Sequence, residues 1–154
     1  MTMQQRDSIL IDGEEQTLQS LPLDDFIPFL SPYIKFTPPS TACWHGYTAG
    51  WALEDKILYL VDFIGYVGPW GESVSVDLDY LFPSSNKIKA WWFTGILRIP
   101  QGEPVGCYPT SVGYVYEEYL YIQIESGIET GRYVEREELK IDEDDDEIIL
   151  YKRT

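Results

Sequence analysis

Histidine is nearly absent: His45 is the only one in 154 residues. Any mechanism that needs two imidazoles is excluded, and a catalytic zinc, which takes three protein ligands and usually several histidines, has no ligand set. Cysteine is scarce as well. Cys43 and Cys107 show no Cys-x-x-Cys spacing, and without a secretory leader they are expected as free thiols of a reducing compartment. Bases are few. Eleven Lys and Arg stand against twenty-six Asp and Glu, for a net charge of −15 and a pI near 4.2. Such a field repels a phosphate backbone and an anionic membrane surface, so no direct nucleic-acid binding and no membrane association are expected. Long apolar runs are missing too. The densest, Ile57 to Val61, is about a quarter of a membrane span. The N-terminal stretch offers only Ile9-Leu10-Ile11, short of a secretory core, and no lipidation signal stands at either end. The expected location is the cytoplasm.

Catalytic motifs are also missing. No G-x-G-x-x-G or Walker loop is present to cradle a nucleotide phosphate. Gly71-Glu72-Ser73-Val74-Ser75 stops one glycine short of a nucleophile elbow. Asp142 to Glu147 has the carboxylates of a calcium loop but no glycine at its sixth position. No cofactor and no metal are therefore expected. Cys43 and His45 would share a face of a strand, about 6.6 Å apart at 3.3 Å per residue, too far for a thiolate–imidazole pair. Among the many carboxylates, Asp62, Asp77 and Asp79 are the candidates for a general acid beside an aromatic ring. They carry one alternative, a small carboxylate-based hydrolase.

What the chain does have is a globular balance, 44% hydrophobic and 24% charged, and enough length for one domain over residues 1–154. Strand signals dominate. Asp12-Gly13 predicts a type I′ hairpin between Ser8–Ile11 and Glu14–Leu18. Five prolines in residues 21–41 restrict that stretch to a short helical piece over Asp24–Leu30. It is expected to run along the surface and press Phe26, Phe29 and Tyr33 onto the sheet. A second hairpin is predicted about Glu54-Asp55, with Ile57, Tyr59, Val61 and Phe63 on one face of its second strand. Ser73 to Tyr80 reads as strand or a short helix, with Asp77 to Phe82 a candidate for one helical turn. Ile88 to Ile99 reads as one long strand or two joined at Gly95, and Trp91 and Trp92 would then point to opposite faces. A third hairpin is expected to join Tyr114–Tyr116 to Tyr119–Glu125, followed by a Ser126-Gly127 turn into Ile128–Glu135. The prediction is a mainly β, single antiparallel sheet domain, a meander-type sandwich or partial barrel with at most one or two short helices.

Two features point to binding. Residues 117–147 hold thirteen acids against three bases, a net of −10 in 31 residues and two-thirds of the whole charge. Their last part, 142–147, is a possible flexible segment. A field of this sign speeds association with a basic partner. Aromatic residues make up 15% of the chain, with five Trp, twelve Tyr and six Phe. Trp70, in Gly68-Pro69-Trp70-Gly71, stands where the chain is hard to bury, and exposed Trp is a frequent anchor of interfaces.

Three stretches bear a likeness: Trp44 to Trp51 with Lys56 to Leu60, Trp92 to Gly102, and Gly113 to Leu120 with Ile124 to Gly127. Together they resemble a group of small, acidic, β-rich bacterial proteins, several of which look like immunity proteins of interbacterial toxin systems. The resemblance implies a non-enzymatic immunity or antitoxin protein. It would bind and block a cognate toxin domain, a basic nuclease or NAD-using transferase, and would be a monomer or weak dimer itself. The expected partner-binding residues are Trp70, Glu137, Glu138, Asp142, Glu143, Asp144, Asp145, Asp146 and Glu147. A second alternative is an adaptor or assembly subunit in which the acidic run serves solubility.

Overall fold

The computed structural model describes residues 5–30, 35–40, 42–43, 45–107, 114–136 and 149–150. Its first hairpin forms as the turn chemistry requires. Strands β1 (Asp7–Ile11) and β2 (Glu14–Leu18) pair antiparallel about Asp12 and Gly13, at φ 51° and 81°. The second hairpin joins β3 (Tyr47–Glu54) to β4 (Ile57–Val67). Its turn residues are Asp55 and Lys56, both at positive φ, one place later than the sequence predicts.

A bulge in this hairpin changes which side chains are buried. Gly50 faces Asp62 but Trp51 faces Leu60, so Val61 is the extra residue. One inserted residue reverses the alternation beyond it. Phe63 therefore turns into the core with Leu58 and Leu60, not outward with Ile57 and Tyr59.

Strand β4 is the hub. Its other edge is shared by three short partners: β5 (Val74–Asp77) at Val67–Ile64, β6 (Ile88–Lys89) at Leu60–Tyr59, and Ile128 at Ile57. The predicted helical turn forms as α2, Leu78–Leu81. The long strand predicted over 88–99 is broken. After β6 the chain turns through Trp91 and Trp92 and resumes as β7 (Gly95–Gln101), so the two tryptophans do not alternate across a strand.

The third predicted hairpin does not form. β8 (Gly106–Cys107) and β9 (Tyr114–Val115) pair with each other, and β12 (Ile149–Leu150) joins them in a separate three-stranded sheet. β10 (Glu118–Glu125) has both edges taken, by β7 on one side and β11 (Ile128–Arg136) on the other. Ser126 and Gly127, at φ 48° and 82°, make the β10–β11 turn.

The main sheet is nine-stranded, in the order β2-β1-β3-β4-β11-β10-β7 with β5 and β6 added on β4. It is mixed, because β1 runs parallel to β3; the sequence pattern had indicated only antiparallel neighbours. The sheet is open, but its outer strands meet along a short seam just past β2. Gln19 N–H donates to the Arg98 carbonyl (2.9 Å), and Arg98 N–H donates to Ser20 Oγ (2.8 Å). Pro100 lies two residues on and has no N–H to extend that seam. Inside the curl, Ile9, Leu18, Trp51, Leu58, Leu60, Leu97, Ile99 and Ile122 are fully buried.

Candidate functional site

The proline-rich segment builds an exposed aromatic surface. Pro22 opens a 3₁₀ turn over Pro22–Asp25, and α1 (Ile27–Leu30) follows. Pro22 and Leu23 are buried, and Trp92 Nε1–H donates to the Pro22 carbonyl (2.9 Å). That bond anchors the segment to the turn after β6. Phe26 packs between Trp92 and Phe82, with centroids 4.7 and 5.2 Å away. Two rings stand outward on this pedestal. Phe29 is 69% exposed and Trp91 53%, with their centroids 6.3 Å apart. Of the three rings expected to press onto the sheet, Phe26 does so, Phe29 faces out, and Tyr33 lies outside the described residues. The helical turn of α1 lifts Phe29 off the sheet, an effect that proline spacing alone does not reveal.

Trp70 is 63% exposed in the loop between β4 and β5. Beside that hairpin runs an open groove of about 480 Å³, lined by Ile64, Ser75, Val76, Asp77, Asp79 and Tyr80. The remaining expected contact residues, Glu137, Glu138, Asp142, Glu143, Asp144, Asp145, Asp146 and Glu147, lie outside the described residues. A smaller groove of about 240 Å³ at the end of β10 and β11 is lined by Glu103, Glu117, Glu118 and Arg136 among others. Arg136 there pairs with Glu117 at 3.1 Å.

Of the three candidate carboxylates, Asp77 makes no capping bond to α2 and lines the open groove beside Asp79, while the other two hold backbone. Asp62 Oδ1 accepts from Phe63 N–H (2.9 Å) and Asp79 Oδ1 from Ser84 N–H (2.8 Å). Cys43 is a buried free thiol and its Sγ–H donates to the Tyr47 carbonyl (3.5 Å). Burial pushes that thiol above its ordinary range, the reverse of an activated nucleophile. Among the described residues, no three His, Cys, Asp or Glu side chains gather as a metal-binding group, and no helix is long and apolar enough to cross a membrane.

One acid was hidden in the sequence. Asp7 is 2% exposed, with Oδ1 accepting from Ala49 N–H and Oδ2 from Trp51 Nε1–H, each at 3.0 Å. Burial raises its pKa to about 6, against the opposing pull of those two donors. Nearby, Tyr47 donates its hydroxyl to Asp24, and burial with that bond pushes the phenol upward. Both Asp7 oxygens are occupied, and neither groove reaches it. Asp7 therefore ties β1 to the start of β3.

No family model, curated protein or solved structure matches the chain.

Proposed function

We propose that this chain is a non-enzymatic binding protein of the immunity or antitoxin type, blocking a basic toxin domain of a partner protein by capping it. The observation that carries the reading is the outward pair Phe29 and Trp91 on a buried aromatic pedestal, in a chain of net charge −15. Exposed aromatic rings with fixed rotamers give contact area at little entropic cost. The negative field supplies attraction at a distance, and the rings supply the short-range fit. Trp70 adds a further anchor from a different loop.

The test is capture of the tagged chain from its native host at about 50 and 300 mM salt, followed by an assay of the captured partner. A basic protein whose activity is abolished by one equivalent of this chain is the expected result. A captured partner that remains fully active, or no partner at all, overturns the reading.

Substitution separates the anchors from the fold. Phe29→Ala removes mostly exposed surface and is expected to change unfolding free energy by less than about 1 kcal/mol, whereas Trp91→Ala, which also loses ring contacts to Phe26 and Trp92, is expected to cost about 2 kcal/mol. Each is expected to weaken partner binding about tenfold, mostly through faster dissociation. Equal loss of stability and binding in Phe29→Ala would mean that the pair is only packing. Replacing Asp142, Asp144, Asp145 and Asp146 together with Asn is expected to slow association and flatten its salt dependence. Stopped-flow traces at several ionic strengths read this directly, and an unchanged on-rate removes those four residues from the interface.

A further inference from the structure

Strand β11 leaves β4 almost as soon as it meets it. Ile128 pairs with Ile57, Glu129 N–H reaches the Lys56 carbonyl, and there the contact stops because β6 occupies the next stretch of β4. From Gly131 to Arg136, β11 is paired only with β10 among the described residues. In an antiparallel pair, alternate residues of an edge strand point N–H and C=O away from their partner. This stretch is also regular, since the register shift lies before it, between Gln123 and Ile124. It contains neither Pro nor Lys, and Val134 is 56% exposed.

Other edges of the sheet are shorter or partly covered: β2 is five residues long and its Gln16 accepts from Gln101 Nε2–H (2.9 Å). β7 carries Pro100 and is stitched to Gln19 and Ser20, and β5 is only four residues long. Proteins usually blunt a long open edge, because it templates strand addition. We infer that the 131–136 edge of β11 accepts an extended segment of a partner protein as an added antiparallel strand, with a Lys or Arg of that segment over Tyr133 and beside Glu135. The inference rests on the binding-protein reading above and narrows it to one mode of contact.

The choice of a basic occupant comes from the face that Tyr133 shares. Tyr133 stacks on Tyr121, with centroids 5.1 Å apart and planes 19° from parallel. Arg98, Tyr121 and Tyr133 are in register across β7, β10 and β11. At the β7 end of this row the Arg98 guanidinium sits 3.8 Å from the Tyr119 ring centroid. The sheet thus already seats a cation on its tyrosines from one side, and an added strand brings a second from the other. Glu135 is on the same face as Tyr133, and no base among the described residues lies within ion-pair distance of it. On the opposite face, Arg132 is held by Glu129 at 2.5 Å and Arg136 by Glu117 at 3.1 Å, so those cations are already compensated.

The test needs no natural partner. Random twelve-residue peptides displayed on phage are selected against the immobilised full chain, and the enriched peptides are synthesised. Enriched sequences are expected to alternate, with Lys or Arg at every second position, and to slow amide exchange over 131–136. Glu135→Lys, which leaves the backbone intact, is expected to weaken them about fivefold or more. Val134→Pro, which disrupts the strand, is expected to abolish binding, and Glu135→Lys keeps the test valid if that variant unfolds. Acidic or non-alternating winners, binding indifferent to Glu135→Lys, or no enrichment over a blank surface overturn the inference. So does slowed exchange at 131–136 on simply concentrating the protein, which would make a second copy the occupant. Trp91→Ala is expected to leave peptide binding unchanged, so failure here and failure of the aromatic-anchor reading are distinguishable.

Discussion

Trp51→Phe is expected to destabilise the protein by about 3 kcal/mol at pH 7 and by clearly less at pH 5. The indole N–H is one of the two donors that make a buried Asp7 carboxylate tolerable. Phenylalanine fills most of the space but strands one carboxylate oxygen, and a charge without its donor costs more than the bond was worth. Acid relieves that strain by neutralising the group. The wild type carries a weaker form of the same behaviour. Asp7 has a folded pKa of about 6 against an ordinary 3.8, so the native state binds more protons than the unfolded state between those values. Stability from this group is greatest below the lower value and is lost as pH rises through the higher one. Between pH 5 and 7, above the pI, the difference amounts to about 1.3 kcal/mol. Urea unfolding at both pH values checks it, with Asp7→Asn as the comparison. The Asn variant is expected to show a slope flatter by that amount, and equal slopes would show that Asp7 does not titrate in this range.

Gly127→Ala is expected to cost about 3 kcal/mol or more, and Gly13→Ala only about 1 kcal/mol. Both glycines sit at nearly the same φ, 82° and 81°, so the backbone penalty for a side chain is common to both. Their surroundings differ. A Cβ at Gly13 meets nothing within 4 Å, whereas one at Gly127 would lie 2.8 Å from the Ala90 carbonyl oxygen. That oxygen belongs to rigid backbone at the junction of three strands. Gly127 N–H donates to the Phe93 carbonyl, its own carbonyl accepts from Leu58, and Ala90 N–H donates to Leu58 as well. Paired thermal or urea melts of the two variants isolate the junction from the turn. If the two cost the same, the strands give way more easily than their backbone contacts imply.

The comparison of these two turns also shows what a sequence can reveal. Asp12-Gly13 and Ser126-Gly127 were legible because local chemistry alone sets a type I′ turn. Period-two patterning puts Leu120, Ile122 and Ile124 inward and Tyr119, Tyr121 and Gln123 outward; Ile122 and Ile124 are buried as expected, but so is Tyr119. It misplaced Phe63, since a single bulged residue at Val61 is invisible to alternation. The parallel β1–β3 pair and the β8–β9 pair join segments by long-range fit, which no local pattern encodes. Trp91 and Trp92 read as strand because both are β-formers, yet the ring contacts of Phe26 and Phe82 hold them in a turn. Trp70 was recognisable from its Gly-Pro-Trp-Gly setting. Phe29 and Trp91 were not recognised as an exposed pair, because their closeness arises from packing between residues about sixty positions apart. Asp7 escaped notice among twenty-six acids for a similar reason: only the fold distinguishes a buried carboxylate from a solvated one.

The seam between Gln19 and Arg98 sets a schedule for protein synthesis. The first hairpin leaves the ribosome before its neighbours, and the Arg98 carbonyl that Gln19 N–H meets lies 79 residues further along the chain. At about 5–20 residues per second that is a wait of roughly 4–16 s. During it Leu18, Leu23 and Trp51 lack much of their final covering, and the curl of the sheet is incomplete. Chains begun at the same moment therefore share a lag set by this separation, and any surface that needs the closed curl matures only after Arg98 has emerged.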